Sequence, residues 1–239
     1  MTRTSAIADR EPPPPAPGRS ERTRAAVRAA AAECFAESGF QAATTAEIAR
    51  RAGVAEGTVF GHYTNKLGLL TAVTREFYDD LQRRGEQIAD DTGATPAERL
   101  RRLVNDWCAV MARQWDLVQV YIHTAQAFGG TELAEVVIAA NRRYTRLYTA
   151  VIDELRQAGD LSTDLSANLV RDMIFGTLEH TARGQRYAGR SVDTIETGRQ
   201  ILDLLLGSGG GTGGRLAAIE AKIDILLEER SNAVDTVNE

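Results

Sequence analysis

Apolar residues recur along this chain at steps of three and four, the spacing that gathers side chains on one side of an α-helix. From Ser20 to Ser38, Val27, Ala31, Cys34 and Phe35 share a face, and Gly39 supplies a stop. Thr44 and Thr45 offer a cap for a shorter helix that begins with Glu47 and Ile48 and ends at Gly53. A third, brief helix covers the run GTVFGHY. Asn65 caps a fourth from Lys66 to Asp90, which places Leu70, Val73, Phe77, Leu81 and Ile88 along about 37 Å. After the loop DDTGAT, Pro96 suits the first turn of another helix. The same pattern predicts helices near 96–112, 114–127, 131–158, 164–186 and 192–206. Sustained alternation and paired β-branched runs joined by hairpin turns do not occur, so the fold class is all-α.

The ends read differently. Residues 1–18, with four consecutive prolines at 12–15, cannot bury a core and are expected to be a disordered arm. Residues 207–214, GSGGGTGG, form a Gly-rich linker. In 215–239, a C-terminal helix and tail, Leu216, Ile219, Ile223 and Leu226 begin a heptad seam. That seam is too short to stand alone, so it pairs with a second copy or folds back on the body. Two folded units remain, 19–66 and 67–206.

Composition adds little until it is divided. The 239 residues are 43% hydrophobic and 26% charged, as in ordinary globular proteins, and no apolar run is long enough to span a membrane. The N-terminus lacks the apolar block of a secretory signal, so a cytoplasmic protein with no membrane partner is expected. Cys34 and Cys108 lie far apart in helical patterns, which argues against a disulfide framework or a metal centre. The net charge of −5 is unevenly spread. Residues 1–66 carry 9 Lys+Arg against 7 Asp+Glu, and the rest carries 19 against 26. One modestly basic end on an acidic body can face phosphate.

The third helix is the unusual element. Wound at 100° per residue, Gly57, Thr58, Gly61 and His62 occupy one arc of roughly 140°, while Val59, Phe60 and Tyr63 fall on the opposite side. The apolar side is expected to dock through Ile48, Ala49 and Val54. The other side is nearly bare, although each interior glycine costs about 1 kcal/mol relative to alanine. Such a face suits close approach of the backbone to something large. Two helices joined by a short Gly53-containing turn, with the second exposed, match the helix-turn-helix, whose second helix enters the major groove of DNA.

Residues 20–66 resemble the DNA-binding domain of the TetR family in three parts: a first helix ending in ESGF, then TTAEIARRAGVAEGTVF, then HYTNK before a long helix. The number and length of the later helices are similar too. The resemblance implies an N-terminal three-helix DNA-binding domain and a C-terminal helical domain that binds an effector and dimerises. Position by position, it implies phosphate contacts from Thr45, Thr58, His62, Tyr63 and Lys66. It implies approach to base edges by Glu56, Gly57, Thr58 and Gly61. Ala55 departs from the Ser or Thr cap usual there, forfeiting about 1 kcal/mol. Gly61 replaces a larger base-reading residue, which shifts specificity toward the Thr58 methyl, His62 and DNA shape. Arg3, Arg10, Arg19, Arg22 and Arg24 either add phosphate or minor-groove contacts or are solvated charge.

In the body, Trp107, Met111, Trp115, Tyr121, Phe128, Tyr144, Tyr148 and Phe175 recur at helical spacing. Each read singly is core; with the resemblance, some of them line an effector cavity. His123 and His180 are polar anchors there or are simply hydrogen-bonded in place. Leu169, Met173, Gly176 and Leu178, facing Ile201 and Leu205, are expected to form the dimer contact. The run MIFGTLEH is similar to TetR-family members that regulate fatty-acid and acyl-CoA metabolism.

The sequence carries no GxSxG elbow, P-loop, HExxH or dinucleotide fingerprint, so neither an enzyme nor a cofactor is expected. The resulting expectation is a homodimeric transcriptional repressor on palindromic operator DNA, released by a small apolar effector such as a fatty acyl-CoA. Regulation of xenobiotic efflux and a helical adapter that does not bind DNA are the alternatives.

Overall fold

The computed structural model describes residues 18–161 and 164–207. The arm, nearly all of the Gly-rich linker and the C-terminal heptad segment, with Arg3 and Arg10, lie outside them. Eight helices follow in order: α1 Arg19–Ala42, α2 Thr45–Ala52, α3 Glu56–His62, α4 Lys66–Ala89, α5 Pro96–Ala127, α6 Glu132–Ala158, α7 Ala167–Tyr187 and α8 Ile195–Leu206. No strand occurs among the described residues, in agreement with the all-α expectation.

The predicted caps form. Thr44 accepts from the Glu47 amide and Asn65 from the Gly68 amide. Ahead of Pro96, Thr95 and Glu98 satisfy each other's backbone amides in a capping box. Beyond shifts of up to three residues at helix starts, two elements differ from expectation. Helix α1 breaks at Gly39, whose φ of 74° only glycine adopts readily, and a further turn runs to Ala42. The helices expected at 96–112 and 114–127 are one helix kinked at Gln114, with φ −136° and ψ 20°.

That kink matters because α5 serves two cores. One is the body core, where Leu100, Leu103, Trp107 and Met111 meet Tyr148, Ile152, Ile174 and Leu202. The other begins in the head with Val27, Phe35, Ile48, Val59 and Leu70. It continues without a break into Leu117, Tyr121 and Ala125 of the second half of α5 and Leu133 of α6. The head is therefore seated on the body through shared apolar packing.

Helix packing elsewhere depends on missing side chains. At Gly85 of α4 a Cβ would stand 2.6 Å from Leu147 Cδ1 and 3.1 Å from Tyr144 Cε2, so α4 and α6 touch nearly backbone to side chain. At Gly198 of α8 a Cβ would stand 3.0 Å from Val104 Cγ1 and 3.2 Å from Cys108 Sγ. Buried polar links add direction. Tyr148 donates to the Leu103 carbonyl at 2.7 Å, and buried Arg99 joins the Ala89 carbonyl at 2.6 Å to Glu154 of α6. Cys34 and Cys108 are free and buried.

Candidate nucleic-acid interface and effector cavity

Helix α2 ends at Gly53 in the left-handed conformation, φ 68° and ψ 31°, where the amides of Gly53 and Val54 return to the carbonyls of Arg50 and Ala49. This turn sets α3 across α2 so that Val59 is sealed in the head core. Ala55 provides no side-chain cap, as its methyl dictates. A Cβ built on Gly57 or Gly61 meets nothing within 4 Å, so the bare face is open. Phe60 corrects the sequence reading: it is 50% exposed rather than docked. A seven-residue helix buries a narrow arc, and Phe60 lies at its edge, bordering the glycines.

Around this face the polar candidates are already organised. Thr45 donates to Glu56 at 2.5 Å, which links the starts of α2 and α3. His62 Nδ1 accepts from Arg24 Nε at 3.3 Å. Tyr63 accepts a long bond from Arg28, whose Nε also holds Glu76 of α4 at 2.6 Å. Lys66 is a structural residue as well, since its ammonium donates to the carbonyls of Gln41 and Ala43 at 3.1 and 2.9 Å and lies over the Phe40 ring. It closes the frayed end of α1, and at most one of its three protons remains for an external anion. Thr58 is half-buried beside the glycines. Arg22 has no ion-pair partner among the described residues.

A second cluster braces the head. Arg51 spans Glu37 at 2.7 Å and Glu47 at 2.8 Å, and Arg50 also holds Glu47. Hydrogen bonds from Arg50 and then Arg51 pull the Glu47 carboxyl down to about 2, and the bond from Arg51 lowers Glu37. Both folded-state values lie below the ordinary 4.5, so the stabilisation is present above that pH and is lost as pH falls toward about 2. The melting temperature should therefore drop between pH 5 and 3, and Arg51→Gln should flatten the drop. Equal slopes for parent and variant would refute this account.

In the body the aromatic stripe is corrected. Trp107, Tyr144, Tyr148 and Phe175 pack ring against ring, with Tyr148 and Phe175 centroids 4.8 Å apart. Met111 and Trp115 are buried in the same core. Phe128 stands edge-on to Phe40 at 6.0 Å, at the junction with the head. His123 and His180 are exposed, so neither anchors a ligand inside the body. Of these candidates Trp115 borders a small pocket at the kink of α5, and Tyr121 lies sealed beneath a groove against α1.

A larger cavity of about 410 Å³ opens between α4, α5, α6 and α7, a place the sequence reading missed. Its walls include Tyr78, Ile122, Val137 and Ile138, with Asn141 and Glu179 as polar groups. Burial raises the Glu179 carboxyl above its ordinary range. Burial, and then Glu179, pushes the Tyr78 phenol to about 12. The short side chains at Ala125, Gly129, Gly130 and Ala134 make the room, a signal of small residues that an aromatic search passes over.

The expected dimer residues divide. Leu169 is 48% exposed, Gly176 is exposed, and Met173 and Leu205 are half-buried. Leu178 and Ile201 are corrections, since both point into the monomer core. Ile195, in the stripe expected to match α7, is 53% exposed, and Leu204 and Tyr187, not singled out in the sequence, are also large exposed apolar groups. No helix among the described residues is long and apolar enough to cross a membrane.

Comparison with known proteins agrees with this geometry. Residues 27–73 match the model for bacterial regulatory proteins of the tetR family. Residues 93–208 match that for a tetracyclin repressor-like C-terminal domain. The fatty acid metabolism regulator protein of Bacillus subtilis is 26% identical over 178 residues, covering 74% of this chain and 90% of that protein. The HTH-type transcriptional repressor KstR2 of Mycobacterium tuberculosis is 28% identical over 177 residues, covering 74% and 88%. The crystal structure of the transcriptional regulator FadR from Bacillus subtilis in complex with stearoyl-CoA superposes with a TM-score of 0.64 at 25% identity, covering 77% of this chain and 97% of that one. Matched in head and body alike, the chain belongs to the tetR family of bacterial regulatory proteins.

Proposed function

We propose that this protein is a ligand-responsive transcriptional repressor that binds palindromic operator DNA as a homodimer and is released by a small apolar effector, with fatty acyl-CoA as the leading class. The observation that carries this reading is the open face of α3, where Gly57 and Gly61 let the backbone approach the floor of a major groove. Thr45, Glu56, Thr58, His62 and Tyr63 surround that approach, and exposed Phe60 adds an apolar contact of the kind thymine methyls accept. Lys66 contributes mainly by holding the end of α1, with its remaining proton available to phosphate.

The exposed apolar residues of α7 and α8, with Leu169, Gly176 and Leu204 among them, support self-association that sets two heads at half-sites one or more helical turns apart. The effector reading rests on the cavity between α4 and α7 and on relatives named for fatty acid metabolism or solved with stearoyl-CoA. Ala125 and Ala134 line that cavity and also belong to the apolar core shared with the head. A ligand that spreads them tilts the head, and operator affinity falls by the ligand's preference for the spread state.

Electrophoretic shifts on DNA flanking its own coding region test the proposal. Binding should weaken steeply with salt, because phosphate contacts dominate, and a long-chain acyl-CoA should release the complex. Absence of any salt-sensitive shift, on operator or on random duplex, leaves an adapter. One observation favours a different effector: Glu179 is a half-buried carboxylate inside the cavity, which suits a lipophilic cation. Release by such a cation and not by acyl-CoA would select that reading.

A further inference from the structure

The cavity between α4, α5, α6 and α7 has an inner end and a mouth. Tyr78, Ala125 and Ala134 are buried and close its inner end, whereas Gln126, Ile138 and Asn141 are exposed and stand at its opening. Glu179 of α7 is half-buried in the same wall, near enough for its charge to act on the Tyr78 phenol. Tyr78 is 7% exposed, and its hydroxyl, unlike that of Tyr121, is not sealed. Neither that hydroxyl nor the Glu179 carboxyl has a hydrogen-bond partner among the described residues, and the two do not bond to each other.

A phenol and a carboxyl held close but apart in an apolar wall call for a third group between them. The chemistry of that group is narrow, because it must accept from the phenol and donate to the carboxylate. A saturated chain does neither and strips both groups of water. A carbonyl accepts from Tyr78 but turns lone pairs toward Glu179, and a carboxylate is repelled. A quaternary cation answers Glu179 and offers the phenol nothing to donate to. A hydroxyl does both, and it still bonds to both when Glu179 is protonated, since it then accepts from the acid and donates to the phenol oxygen. Burial disfavours charge on Glu179, which also favours a neutral partner. Building on the effector role proposed for this cavity, we infer that the effector carries a hydroxyl on its buried portion, held between Tyr78 and Glu179. An acyl chain satisfies the pair only when it bears such a group.

Calorimetric titration of the full chain without DNA tests the inference. The probes are n-octanol, methyl hexyl ketone, n-octanoate and octyltrimethylammonium, alike in their apolar part and different in the polar group. The parent protein should bind n-octanol saturably, one to one, and about threefold to tenfold more tightly than the ketone, the worth of one hydrogen bond. The anion and the cation should both bind more weakly than n-octanol. Glu179→Ala should erase the advantage of the alcohol over the ketone. Tyr78→Phe should weaken the alcohol and the ketone by a similar factor, since both accept from the phenol, and should melt like the parent, because that hydroxyl bonds to no protein group. Absence of saturable n-octanol binding, tighter binding of any other probe, or an advantage of the alcohol that survives Glu179→Ala would each overturn the inference. If acyl-CoA nonetheless released the operator, only the hydroxyl requirement would fall and the proposed function would stand; n-octanol binding as expected, with no operator shift, would do the reverse.

Discussion

Gly61→Glu should fold like the parent protein and lose operator binding by about 100-fold or more. The new side chain enters open space, since nothing lies within 4 Å of a Cβ at that position. It therefore disturbs no packing, and glutamate is the better helix former. In the proposed complex the same side chain meets the floor of the groove and carries negative charge among phosphates, a penalty of several kcal/mol. Gly57→Ala and Gly61→Ala should separate the two effects more gently. Each should raise the melting temperature, by about 2–4 °C for roughly 1 kcal/mol in a chain of this size, while reducing affinity for DNA. Circular dichroism melts and shift assays on the same preparations measure both. If Gly61→Glu retained full affinity, α3 would not lie in the groove.

Gly85→Val should show the opposite sign in stability. Here a Cβ collides with Leu147 and crowds Tyr144, whose hydroxyl is 3.2 Å from that of Tyr148. The Leu147 tip can swing aside, but Tyr144 is tied through Tyr148 to the Leu103 carbonyl and resists displacement. We expect a loss of about 3 kcal/mol, the upper part of the overpacking range, read as a fall of about 6–12 °C in melting temperature. Gly85→Ala should be far milder, because the helix-propensity gain offsets most of a modest shift. Adding Leu147→Ala to Gly85→Val should recover part of the loss. A valine variant as stable as the parent would mean that α4 and α6 do not approach this closely.

These glycines also show what could be read from sequence. Gly57 and Gly61 were legible because period and amphipathicity fix which way a short helix faces, and two bare positions on its polar side are improbable without cause. Gly85 was not, since its neighbours come from a helix some sixty positions later. Caps at Thr44 and Asn65 were legible for a related reason: each is satisfied within its own first turn. Phe60 failed because a helical wheel gives angle and not depth, and a small rotation at a docking edge decides exposure. The cavity between α4, α5, α6 and α7 was hidden for a deeper reason. Large aromatics attract attention in a sequence, but in this body they fill space, and the cavity opens where Gly and Ala leave it.

The uninterrupted interior that runs from Val27 and Ile48 into Leu117 and Leu133 bears on how such molecules diversify. A reading head transplanted onto a foreign trunk would arrive with its underside uncovered unless the distal stretch of α5 and the first turn of α6 travelled with it. Shuffling within this lineage is thus constrained to cut points that keep those two pieces in the company of the segment that meets the duplex.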